Sequence, residues 1–288
     1  MRPRPIVVGT DGTENSKEAV RWAAREANRR GLPLRVAYVF DWEWGESPYD
    51  LSGGSYDRAH KHAEAVTGNA VHEARAAVLN VDVEGDPLVG HAAARLLAES
   101  DDAELMVLGS RGRGAFAGLM PGSVSQRVAT RAACSAVVVR GRGGDLTEGP
   151  VAVGLDASDA AERVLEVAFE EAAGRGSTLL VIRARVPVGF QAGDVALPEP
   201  PAAERARVEE QLAPWRRRHP EVPVEVVLTT DGAASALAEA STRARLIVVG
   251  SRGRGTFTGT VLGSVGLQLL QHADCPVYIV REPAHRRG

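Results

Sequence analysis

Glycines, serines and arginines at one repeated spacing are the residues of this chain best equipped for chemistry. Gly109-Ser110-Arg111-Gly112 is followed, after nine residues, by Gly122-Ser123, and Gly250-Ser251-Arg252-Gly253 is followed at the same interval by Gly263-Ser264. Each segment comes directly after an apolar run and directly before a stretch with helical spacing. Glycine in such a place lets main-chain N–H groups surround an anion. A helix starting near Ser123 or Ser264 adds its unpaired N–H groups and about half a positive charge at the same point. The chemistry is phosphate binding. Arg111, Arg113, Arg252 and Arg254 flank the glycines, and a guanidinium within reach pairs with phosphate oxygens through charge-assisted hydrogen bonds.

Other phosphate devices fail on the letters. The P-loop needs Gly-Lys-Ser/Thr, and the chain has no Gly-Lys pair. A dinucleotide fingerprint fits marginally at Gly112-Arg113-Gly114-Ala115-Phe116-Ala117, but it follows the fourth apolar run, not the first, and no acidic residue stands about 20 positions on. Lys17 and Lys61 are the only lysines, so the second copy cannot use one. The seven histidines show no metal-ligand spacing, and no protein-built metal site is expected. Nothing supplies a convincing nucleophile or general base, which favours a binding protein over a dedicated enzyme.

The elements that must position these loops are themselves written twice. Ile6-Val7-Val8-Gly9-Thr10-Asp11 matches Val151-Ala152-Val153-Gly154-Leu155-Asp156, and Gly109 stands as far before Arg140 as Gly250 before Arg281. We expect two domains, residues 1–143 and 144–288, each near the usual domain size. In the first, strands are expected at Ile6–Gly9, Leu34–Phe40, Val81–Val83, Leu105–Leu108 and Ala136–Arg140. Between them fall a helix capped by Asn15 or Ser16, a long helix near 58–78, a turn at Gly85-Asp86-Pro87, and helices at 92–98 and 123–131. Residues 41–57, with Trp42 and Trp44, read as a loop, and 141–149 as a flexible linker. The second half repeats the order, with strands near Val151–Gly154, Leu179–Ile182, Val224–Val227, Leu246–Val249 and Val277–Val280. Short apolar strands alternating with helices predict an α/β fold, two tandem Rossmann-like, doubly wound domains with parallel sheets.

Composition sets the outer bounds. A chain of 288 residues with 44% apolar residues, 25% charged and a net charge of −3 is an ordinary globular protein with no global pull toward nucleic acid or an anionic membrane. No stretch reaches the ~20 apolar residues of a membrane span, and Met1-Arg2-Pro3-Arg4-Pro5 shows no signal core, which reads as cytoplasmic. Cys134 and Cys275 hold equivalent places in the repeats and are expected as buried thiols outside any disulfide.

Taken together, the Gly-x-x-Gly, nine residues, Gly-Ser pattern, the run Leu246 to Gly253, the opening Val-Gly-x-Asp and the closing Cys-x-Val-x-x-Val-Arg resemble the ATP-binding signature of the universal stress proteins, in their tandem two-domain form. The resemblance implies a five-stranded parallel sheet of order 3-2-1-4-5 in each half, with helices on both faces. It implies that Asp11 and Asp156, after Gly9 and Gly154, contact adenosine, and that main chain near Val39 and Ala184 holds adenine. By the same resemblance Gly109, Gly112 and Gly114, with Gly250, Gly253 and Gly255, wrap ribose and phosphates. Gly122, Ser123, Val124 and Ser125, with Gly263, Ser264 and Val265, complete the phosphate end, the two serines capping their helices and donating to phosphate. Magnesium would arrive with ATP. Taken alone, Asp11 and Asp156 also suit helix caps, and the glycines suit tight turns.

The implied function is a nucleotide-dependent regulator of a stress or dormancy response. The alternatives are a slow ATPase or phosphotransferase, or an interaction module without ligand. The closing strands should pair the two halves, and whole chains should pair again as a homodimer. Ser125 is replaced by Gly266 in the second copy and Pro121 by Leu262, so unequal affinities are expected.

Overall fold

The computed structural model describes residues 3–42, 54–110, 112, 122–141, 148–158, 160–184, 201–251 and 262–282. In the first half, β1 (Ile6–Thr10), α1 (Glu14–Arg30), β2 (Leu34–Phe40), α2 (Gly54–Ala77), β3 (Val83–Val89), α3 (Ala92–Glu99), β4 (Leu105–Gly109), α4 (Ser123–Arg131) and β5 (Ser135–Val139) follow one another. The second half repeats them as β6 (Val151–Gly154), α5 (Ala161–Gly174), β7 (Leu179–Ala184), α6 (Pro201–Arg218), β8 (Val224–Thr229), α7 (Ala233–Ser241), β9 (Leu246–Gly250), α8 (Ser264–His272) and β10 (Val277–Val280).

All ten strands form one sheet of order β3-β2-β1-β4-β5-β10-β9-β6-β7-β8. Each half is a parallel unit of order 3-2-1-4-5, in register Ile6 with Leu34 and Leu105 on one side and Val151 with Leu179 and Leu246 on the other. The units meet antiparallel through β5 and β10, Val138 opposite Val277 and Ala136 opposite Ile279. β1, β4, β5 and β10 are buried throughout, because helices cover both faces, and every residue but Thr10 and Ser135 at their ends is apolar or glycine. On one face α1, α2, α5 and α6 close a core that runs through both halves. On the other, α3 with α4 and α7 with α8 cover two smaller cores.

Three local expectations are overturned. Gly85-Asp86-Pro87 is not a turn but the middle of β3, paired with Val36, Ala37 and Tyr38. Proline is tolerated there because β3 is an edge strand, and Gly85 is required because a Cβ would come within 2.7 Å of Thr67 on the overlying α2. Helix α1 is capped neither by Asn15 nor by Ser16: its N-cap is Thr13, and Ser16 is buried with its hydroxyl donating to Thr13 O at 2.8 Å. Helix α2 takes up residues 54–57 of the expected loop. The rest of that loop, with Trp44, and residues 142–147 of the linker lie outside the described residues.

Where the halves meet, α1 and α5 bury two carboxylates among three guanidiniums. Glu26 accepts from Arg29 at 2.5 Å, from Arg175 at 2.8 Å and from Arg30. Glu171 accepts from Arg29 and Arg30, both at 2.7 Å, and from Arg175. Burial opposes ionisation of Glu26, but Arg175, Arg30 and Arg29 overcome it and hold its carboxyl down at about 2. Burial, together with the charge of Glu26, pushes Glu171 up. Glu26 and Arg30 occupy in α1 the places of Glu171 and Arg175 in α5, whereas Arg29 has Gly174 as its counterpart. A Cβ on Gly174 would collide with the Arg29 guanidinium, so the gap in one helix seats the cation of the other.

Candidate functional site

At the carboxyl end of β1 the chain turns on Asp11. Its Oδ1 accepts from the Thr13 N–H at 3.0 Å and the Thr13 hydroxyl at 2.6 Å. Asp156 is built identically, its Oδ1 accepting from the Ser158 N–H at 3.0 Å and hydroxyl at 2.6 Å. Neither aspartate is the N-cap residue of the helix that follows. Gly112 stands so close that a Cβ there would lie 2.6 Å from Asp11 Oδ2, and a Cβ on Gly109 would lie 2.8 Å from Asn15 O. These glycines let the fourth-strand loop close over the first turn of α1.

Both loops are pinned at their bases in the same way. Ser110 N–H donates to Val139 O at 2.9 Å and Gly122 N–H to Ser110 O at 2.8 Å. In the second half Ser251 N–H donates to Val280 O at 2.9 Å and Gly263 N–H to Ser251 O at 3.0 Å. The N-caps are Gly122 and Gly263, in extended conformation and without a side-chain cap. Ser123 and Ser264 are therefore the first helical residues, which corrects the expectation that they cap. The first intrahelical bonds run from Gln126 N–H to Gly122 O and from Leu267 N–H to Gly263 O. The N–H groups of Ser123, Val124 and Ser125, and of Ser264, Val265 and Gly266, thus have no acceptor within their own helices.

The remaining expected residues fall in three places. Val39 and Ala184 lie, half-buried, toward the carboxyl ends of β2 and β7, next to the turns on Asp11 and Asp156. Gly9 and Gly154 sit within β1 and β6 with their Cβ positions aimed at Leu96 and Leu108, and at Leu237. Their absent side chains make room for leucines of α3 and α7 over the sheet. Arg111, Arg113, Gly114, Arg252, Gly253, Arg254 and Gly255 lie outside the described residues, as does Pro121.

The two sites differ in what fills them. The buried Ser125 hydroxyl donates to Gly109 O at 2.5 Å, tying α4 to the end of β4. At the matching Gly266 a Cβ would lie 2.7 Å from the Leu262 side chain, which is itself buried and occupies that space. In the second half a cavity of about 270 Å³ opens among Ser158, Arg163, Ser251 and Glu282. Arg163 escaped notice in the sequence; aligning the helices on Asp11 and Asp156 pairs it with Glu18 and exposes the charge reversal. Neither cysteine is in a disulfide. Cys134 is only half-buried, yet burial pushes its thiol up to about 12, which leaves it unreactive.

A doubly wound α/β unit with a glycine loop at the carboxyl ends of its strands, used twice in one sheet, is the class these features define. The chain belongs to the universal stress protein family, whose model matches residues 3–140 and again 149–281. A universal stress protein of Mycobacterium tuberculosis is 35% identical, with 96% of this chain and 97% of that protein covered. A second from the same organism is 34% identical, with 96% of each covered. In fold the chain is similar to the crystal structure of a universal stress protein from Archaeoglobus fulgidus, with a TM-score of 0.72, 22% identity and 98% and 99% coverage. Among the described residues no helix is long and apolar enough to cross a membrane.

Proposed function

We propose that this chain binds ATP, one molecule in each half, and acts in the cytoplasm as a nucleotide-dependent regulator of a stress or dormancy response. The observation that carries this reading is the pinned loop. In both halves a glycine segment leaves the fourth strand, returns to hydrogen-bond its own base, and hands over to a helix whose leading N–H groups have no acceptor in the helix. Such an end is a ready anion site. Phosphates sit against Gly109, Gly112, Gly122 and Ser123, and against Gly250, Gly253, Gly263 and Ser264, with Arg111, Arg113, Arg252 and Arg254 as the cations that pair with them. Asp11 and Asp156 face the adenosine part, and main chain near Val39 and Ala184 holds the base. Magnesium, where present, is held by phosphate oxygens.

The halves divide at residues 143 and 144, and whole chains pair again as a homodimer. Hydrolysis is at most slow, resting on electrostatic positioning alone. The test is to denature the purified protein, separate any released nucleotide by chromatography and count moles per chain. About two ATP per chain supports a site in each half, and about one supports a single tight site. If none is released and added ATP does not bind in a titration, the reading fails.

A further inference from the structure

The helices behind the two loops are finished at their far ends by the opposite half. Helix α1 closes on itself: Gly31, in the left-handed conformation at φ 63°, sends its N–H back to Ala27 O and Asn28 O. Helices α4 and α8 have no such glycine. They end on Ala132 and Ala273 in extended backbone, each returning a single N–H, to Val128 O and Leu269 O. Carbonyls of a last turn left this way need outside donors.

Those donors are arginines that follow the closing strands. Arg140, just after β5, donates from Nη2 to Gln271 O at 2.8 Å and from Nη1 at 2.7 Å to Leu269 O, which it shares with the Ala273 N–H, both carbonyls lying in α8. Arg281, just after β10, donates from Nη2 to Ala129 O of α4 at 3.0 Å, while its own N–H donates to the Ser135 hydroxyl at 3.1 Å. The antiparallel β5–β10 pair delivers each arginine across the seam. A cation at a helix C-terminus also complements the helix dipole. Each helix is nine residues long, so the capped end stands about 13 Å from the loop end.

We infer that Arg140 and Arg281 are positioning residues that act in trans, each holding the loop-facing helix of the other half, so that neither site is complete without its partner half. The trans contact itself is independent of the ligand; its consequence for nucleotide affinity rests on the ATP reading above.

The experiment is hydrogen–deuterium exchange on the full chain, comparing Arg140→Ala, Arg140→Lys and Arg281→Ala with the unaltered protein, together with titration of each by ATP. Arg140→Ala should speed exchange in α8 by about fivefold and leave α4 unchanged, an effect of the size one charge has at a helix end. Arg281→Ala should do the converse, and Arg140→Lys, which keeps the charge without the paired donors, should fall between. Faster exchange in both helices alike, or in neither, overturns the inference. If the crossed pattern appears and the unaltered chain binds no ATP, the positioning stands and the nucleotide reading falls. If the unaltered chain binds ATP and the crossed variants bind it equally well, the link from helix to site is overturned.

Discussion

The two halves share a backbone and differ in what their side chains must do for each other. Asp11 and Asp156 turn alike, the loops are pinned alike, and the sheets share one order. Yet Arg29 faces Gly174, Ser125 is matched by Gly266 with Leu262 in its space, and Glu18 is matched by Arg163. The repeated features are the ones that set a glycine loop at the carboxyl ends of the strands in each half. The diverged ones lie at the seam and behind the loops, where two copies fused in one chain can become complementary instead of identical.

The largest effect should come from the shared cluster. Arg175→Ala leaves Glu26 and Glu171 buried with a third of their cations gone, and should cost about 3 to 5 kcal/mol in denaturant unfolding. Arg29→Ala should cost less, because Arg29 is 23% exposed against 11% for Arg175, and Arg175 is the strongest opposing charge at both carboxylates. Equal losses would mean that the symmetric pair has no privileged role. Next in size, Gly266→Ser drives a side chain into Leu262 and should cost about 1 to 3 kcal/mol. Ser125→Ala should cost about 1 kcal/mol through the lost bond to Gly109 O. Urea midpoints of both variants rank them directly.

The buried carboxylates should also titrate differently. The Glu26 carboxyl is depressed from 4.5 to about 2, so its stabilising contribution is present above pH 4.5 and lost as pH falls toward about 2. Glu171 is raised, so its protonated form is favoured in the fold, and its contribution declines as pH rises through the folded value. Glu26→Gln should therefore flatten the acid limb of a stability profile and cost more at pH 7 than Glu171→Gln; the opposite ranking would reverse the assignment. The smallest expected effect is at the cavity. Exchanging charges with Glu18→Arg and Arg163→Glu should shift ATP affinity between the halves by about 1 kcal/mol or less at physiological salt. Calorimetric titration of the double variant reads this, and an unchanged profile would remove both side chains from the comparison.

Periodicity and repetition, both local in the chain, determined most of the architecture. The four inner apolar runs of each half, the start of α4 at Ser123 and the α/β alternation are legible because a strand buried on both faces must be apolar throughout, and a helix shows its stripe every three or four residues; the edge strand β3, expected at Val81–Val83, runs over Val83–Val89 and carries no such run. The glycine spacing located both loops because it is repeated at one interval, each time between an apolar run and a helix. What local pattern could not show depends on a neighbour. Gly85-Asp86-Pro87 reads as a turn until β3 is known to be an edge strand under α2. Ser16 and Ser123 look like caps until their neighbours Thr13 and Gly122 take that role.

Only the tertiary structure decided how the halves join in detail. Arg29 meets Glu171 across 142 residues of chain, Arg140 meets Leu269 across 129 and Arg281 meets Ala129 across 152. An arginine near a helix end or after a strand looks solvated from its own sequence neighbourhood. It gains a partner only when the antiparallel β5–β10 seam brings the second half against it, since an ion pair or a carbonyl contact is set by distance in space and leaves no period in the chain.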